Sequence, residues 1–159
     1  MNPKRISIWL KIILAGIYVC GAFVYLWVIP ELGTSIKTMN PDFSYCYAPW
    51  LGFISITAIP CVAGLSLAWK IAANIGDDRS FTKENAKSLR WISILALGDA
   101  AYFLMGNILL ILLNMHHPGL FIMAVAVVLV GIAIAAAAAA LSYLVGRAAL
   151  LQEQSDLTI

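Results

Sequence analysis

Residues 91–114 read Trp91-Ile92-Ser93-Ile94-Leu95-Ala96-Leu97-Gly98-Asp99-Ala100-Ala101-Tyr102-Phe103-Leu104-Met105-Gly106-Asn107-Ile108-Leu109-Leu110-Ile111-Leu112-Leu113-Asn114. A membrane-spanning helix needs about 20 mainly apolar residues, so this run is long enough to cross a bilayer. Asp99 is its only charged side chain. A carboxylate at that depth costs ~2.5–3.5 kcal/mol on insertion scales, so it requires a partner, water or a proton.

Three more apolar runs flank this one, over about residues 8–29, 48–72 and 120–145. The first ends at Pro30-Glu31. The composition agrees: 62% of residues are hydrophobic and 11% charged, with a mean hydropathy of +0.91. Soluble domains are roughly 45–50% apolar and about 25% charged. The expected fold is all-α, an integral membrane four-helix bundle forming one domain over residues 1–159. Residues 147–159 are read as a short tail, and the first run as an uncleaved anchor, since no small-residue cleavage site follows it.

Orientation follows from the basic residues. Lys4, Arg5, Lys11, Lys70, Arg79, Lys83, Lys87, Arg90 and Arg147 fall on one side of the four spans, and Lys37 alone on the other. Both termini and the loop between spans two and three of this multi-pass protein are therefore expected to be cytoplasmic. The outer connection, Glu31 to Tyr47, is expected to be a lid or a packed connector. The second, Met115-His116-His117-Pro118-Gly119, reads as a tight turn that makes spans three and four antiparallel neighbours. Cys20 and Cys61 read as buried apolar fillers, and Cys46 as either a free structural thiol or one half of an intermolecular disulfide.

The cytoplasmic loop carries the clearest local signature, Phe81-Thr82-Lys83-Glu84-Asn85 followed by Leu89-Arg90. Thr82 suits a helix N-cap, with Asn85 three residues on to close the cap reciprocally. Glu84 complements the positive end of the helix dipole, and Phe81 stands where an apolar residue packs back on the first turn. A well-capped helix start explains all of this. The functional alternative is a docking face formed by Phe81, Thr82, Glu84, Asn85 and Arg90 with Asp156 and Leu157 of the tail.

That signature, with the ending Arg147 to Ile159 that closes on Asp156-Leu157-Thr158, resembles the bacterial membrane family known as domain of unknown function 2975. The resemblance covers nearly the whole chain, with departures at Ser88 and Ser93, where a basic residue and a glycine are common. It implies a small four-helix inner-membrane protein without an assigned reaction. It also implies regulation, with a small helix-turn-helix regulator as a cytoplasmic protein partner.

Counting from the cytoplasmic ends at 1.5 Å per residue puts Asp99 ~12 Å deep. The same count gives Gly16, Gly64 and the stretch 135–140 in the other spans, a layer of small residues. Small residues four apart, Gly131, Ala135 and Ala139 or Ala138, Ser142 and Gly146, favour close helix packing. In that setting Asp99 is expected to be protonated or bonded to Tyr18, Ser66 or Ser142, with Asn107 on its own face. The freed carbonyl ahead of Pro60 is expected to be satisfied by Ser55 or Thr57.

No catalytic motif is present: there is no paired nucleophile and base, no C-x-x-C and no phosphate-binding glycine loop. His116 and His117 are adjacent in a turn, which suits neither a haem nor a metal site, so no cofactor or metal is expected. The basic residues follow topology and call for no nucleic acid. The expected function is a non-enzymatic membrane regulator or adaptor, embedded in lipid, that presents its loop and tail to a partner. Its alanine rows leave a homo-oligomer open. The alternative is a small transporter, channel or ligand-binding bundle centred on Asp99. An intramembrane enzyme is the weakest reading.

Overall fold

The computed structural model describes residues 2–39, 41–115 and 118–156. Among them every regular element is helical: α1 (Pro3–Phe23), a π-helical segment (Val24–Val28), α2 (Ile29–Met39), a 3₁₀ turn (Pro41–Cys46), α3 (Tyr47–Gly76), α4 (Lys83–Leu112) and α5 (Pro118–Asp156). Four stretches are long and apolar enough to cross a membrane: Pro3–Met39, Ser44–Gly76, Lys83–Leu112 and Gly119–Ser155. The chain is an all-helical, four-span membrane protein.

Local chemistry explains where the helices start and stop. Asn2 caps α1 by accepting from the Lys4 amide at 3.2 Å, and Pro3 occupies the first turn, where no N–H is needed. Asp78 and Asn114, at φ 58° and 55°, sit just past α3 and α4 in the left-handed conformation that closes a helix. In each case the following amide reaches back five residues, Arg79 to the Asn74 carbonyl at 2.9 Å and Met115 to that of Leu110 at 2.8 Å.

Pro30 does not end the first helix. It has no N–H to offer the Leu26 carbonyl, and the backbone accommodates the loss by widening: the Ile29 amide bonds to Val24, five residues back. The helix then runs on through α2, which packs beside α3. The outer connection is thus helical from Ile29 to Met39, a packed connector rather than an irregular lid. His116 and His117 lie outside the described residues.

The long helices pack in series: α1 on α3, α3 on α4, and α4 most extensively on α5. Nothing comparable joins α1 to α5 among the described residues. The α4–α5 seam is built from small residues. Gly131 lies so close to Ala100 that a Cβ there would be 3.1 Å from the alanine methyl. Ala124, Val128, Ala135, Ala138 and Ala149 are all buried along the seam. With so little side-chain bulk, backbones approach closely enough for hydroxyl bonds across the gap: Ser93 to the Ala135 carbonyl and Ser142 to that of Ala86, both 2.7 Å. Ser93 is thus a packing residue, and Ser88 is buried as well. At the far end of the α3–α4 contact the Phe53 ring fills the space above Gly106, stacked on Phe103 at 5.6 Å.

From Arg147 to Asp156 the expected tail continues α5, which at 39 residues is ~58 Å long, about twice the hydrocarbon thickness. One end of the bundle therefore gathers the start of α1, the α3–α4 loop and the end of α5.

Candidate functional site

At that end, the loop between α3 and α4 is held by two buried asparagines. Asn85 is 1% exposed and Asn74 7%. The Asn74 Nδ2 donates to Asn85 Oδ1 at 2.7 Å, and the Asn85 Nδ2 donates to the carbonyls of Arg79 (3.0 Å) and Ser80 (2.9 Å). The Asn85 amide donates to Thr82 Oγ1 at 3.2 Å, so Thr82 caps α4 as expected. The reciprocal half of that cap is absent, because the Asn85 side chain is spent on holding the loop. Asn85 is accordingly a buried clamp and cannot be a docking residue.

The clamped loop faces the end of α5. Asp78, Arg79, Ser80, Phe81, Thr82 and Lys83 form one wall of an open groove of about 690 Å³, and Ala149, Gln152 and Glu153 the other. Lys83 and Glu153 join the walls at 2.6 Å. Phe81 is 56% exposed on the groove rather than folded back on α4. Glu84 turns away to meet Lys70 at 2.7 Å, and that ammonium holds its carboxyl below the usual carboxylate range. Glu84 precedes the apolar part of α4, as does Arg90, which is exposed. Asp156 ends α5, and Leu157 lies outside the described residues.

A second polar site lies inside the bundle. Asp99 Oδ2 accepts from the Cys61 thiol of α3 at 3.8 Å. Asp99 Oδ1 is buried and has no hydrogen-bond partner. One turn before Cys61, the buried Thr57 shares a 2.7 Å hydrogen bond with Tyr25, which sits in the π-helical segment. Three helices thus contribute Tyr25, Thr57, Cys61 and Asp99 to one level.

With both sites placed, comparison with known proteins is informative. A family described as "Protein of unknown function (DUF2975)" matches residues 31–159. The chain belongs to this family. No curated protein and no solved structure matches it. In this DUF2975 member the matched region holds the asparagine clamp, the groove, Asp99 and all of α5, while α1 and its Tyr25 extension precede it.

The residues expected around Asp99 lie elsewhere. Tyr18 and Ser66 bond to each other at 2.8 Å, between α1 and α3. Ser142 bonds to Ala86 on the α5 side of α4. Asn107 is buried two turns away, where its Nδ2 donates to the Phe103 carbonyl at 2.7 Å. The depth count failed because α5 extends beyond Val145: pairing of Gly131 with Ala100 puts Gly131, not residues 135–140, at the level of Asp99. Gly16 and Gly64 have open space beside them and line no layer.

Cys20 and Cys61 are exposed rather than buried fillers, while Cys46 is a buried free thiol, the first of its two expected readings. Ser55 and Thr57 donate to the carbonyls of Leu51 and Ile54, so neither serves the Ile56 carbonyl that Pro60 leaves without its usual donor. Sequence reasoning missed Tyr25, Thr57, Cys61 and Asn74. Pro60, four residues from Ile56, was the one signal near the intramembrane group.

Proposed function

We propose that this DUF2975 member is a non-enzymatic regulator or adaptor of the bacterial inner membrane. The observation that supports this best is the groove between the clamped loop and α5. Nine of the ten basic residues lie toward that end of the spans, so by the positive-inside rule the groove opens into the cytoplasm. Its floor and rim offer Phe81 as an apolar anchor, Arg79 and Asp78 as opposite charges, and Gln152 as a hydrogen-bonding group. That is the chemistry of a site for a protein segment bearing one apolar side chain between polar ones.

The asparagine clamp supports the reading for a separate reason. A loop fixed before binding loses little conformational entropy when a partner arrives. Family resemblance suggests a small helix-turn-helix regulator as that partner. The test is photo-crosslinking in intact cells from positions 81 and 152, one on each groove wall, with position 105 on the outer surface of α4 as control. The expected result is one cytoplasmic protein captured from both walls, absent from the control, and lost from the position 152 probe when Phe81→Ala is added. Capture that is equal at all three positions or insensitive to Phe81→Ala would sink the adaptor reading.

A further inference from the structure

We infer that Asp99, with Tyr25, Thr57 and Cys61 around it, is an intramembrane binding site for a small monovalent cation, either a proton or an alkali ion. This stands apart from the groove and needs no cytoplasmic partner.

Three observations meet at this level. The first is the carboxylate itself. Oδ2 has only a long thiol bond, a weak donor, and Oδ1 has no partner at all. An ionised carboxylate there lacks a compensating charge, and a proton or an alkali ion on Oδ1 would supply it. Without one, the buried oxygen is an interaction short.

The second is the backbone. Beside Thr57 of α3, the first span departs from regular α-helical geometry in the π-helical segment that carries Tyr25, and α3 carries Pro60, which has no N–H for its own ladder. Single π-turns concentrate at functional sites. Irregular backbone at membrane depth survives where protein or a polar cavity surrounds it, since lipid offers nothing to bond with. Near that segment the Thr57 and Tyr25 hydroxyls, one helical turn from Cys61, put oxygen atoms at a level that would otherwise be apolar.

The third is burial. Oδ1 itself is covered, which favours a small ion over a bulky amine there. The charges facing Asp99 do not supply the missing interaction. From α1 the titratable group is Tyr25, from α3 it is Cys61, and α5 brings no ionisable side chain between Pro118 and Tyr143. On α4 itself the nearest is Tyr102, whose hydroxyl donates to the Phe53 carbonyl at 3.3 Å. In the proton form the hydrogen goes onto Asp99 Oδ1; in the alkali form the ion binds the ionised carboxylate and displaces that proton.

The test uses the full chain in lipid nanodiscs with dicyclohexylcarbodiimide, a lipophilic reagent that attacks protonated carboxyls, mapped by mass spectrometry. Labelling of Asp99 and the thermal unfolding midpoint are followed from about pH 5.5 to about pH 9 in choline, lithium, sodium and potassium chlorides of equal ionic strength. The expected result is labelling that falls at least about tenfold with rising pH.

If the ion is alkali, labelling at fixed pH also falls severalfold in one of the metal salts, and the midpoint rises in that salt alone. If it is a proton, the salts are equivalent. Asp99→Asn should lose every one of these responses. Tyr25→Phe, which keeps the packing of the ring, should weaken the alkali response or shift the pH profile. Labelling of wild type that is flat in pH and indifferent to salt overturns the proposal. So does a wild-type midpoint whose pH and salt dependence matches that of Asp99→Asn, whether or not the reagent reaches the site.

Discussion

Asn85→Asp is nearly isosteric, and it tests the clamp more sharply than any truncation. The substitution keeps the acceptor toward Asn74 but replaces Nδ2 with an oxygen 3.0 and 2.9 Å from the carbonyls of Arg79 and Ser80. Two buried hydrogen bonds vanish and two oxygens now face a third. At about 1 kcal/mol per bond, with a further cost for the stranded carbonyls, the expected destabilisation is about 2–4 kcal/mol.

Asn85→Ala removes the 2.7 Å bond from Asn74 as well. It is expected to cost about 3 kcal/mol without the electrostatic repulsion. The assay is thermal unfolding in detergent, paired with hydrogen exchange at the amides of residues 77–82. Both variants should lower the unfolding midpoint and speed exchange in that loop, while exchange along α5 around residue 135 stays slow. Asn85→Asp should be at least as disruptive as Asn85→Ala. Changes within about 0.5 kcal/mol, the range of ordinary surface substitutions, would refute the idea that this side chain holds the loop.

Two further outcomes follow from the packing. Gly106→Ala should destabilise the protein by about 1–3 kcal/mol, because the new methyl overlaps a Phe53 ring already held by Phe103 and Tyr102; an unchanged unfolding midpoint would mean that the ring moves freely. Lys83→Ala should cost less than about 1 kcal/mol in unfolding, as its ion pair with Glu153 is exposed, yet it should loosen the groove, seen as a wider distribution of distances between spin labels at positions 81 and 152.

The sequence by itself determined the solvent and the number of crossings. Apolar runs of spanning length have no stable place in water, so composition alone forces four helices into a bilayer. It also determined the Thr82 cap and the small-residue seam between α4 and α5, because a cap is local and a close approach needs residues without bulk at helical spacing. The family signature was legible too, around Phe81, Thr82 and Asn85, although its reading as a docking face gave Asn85 the wrong role: a side chain's partners depend on which backbone folds over it, here a loop turned by a left-handed residue at Asp78. The neighbours of Asp99 were likewise beyond reach. Each helical residue rotates the side chain by about 100°, and one turn of relative sliding moves it by about 5.4 Å, so depth counted from an assumed helix end cannot say which groups face one another. The continuation of α5 past Val145, the widened turn before Pro30 and the serial packing of the four long helices set that register, and only the tertiary structure decided that Cys61 rather than Tyr18, Ser66 or Ser142 would meet the buried carboxylate.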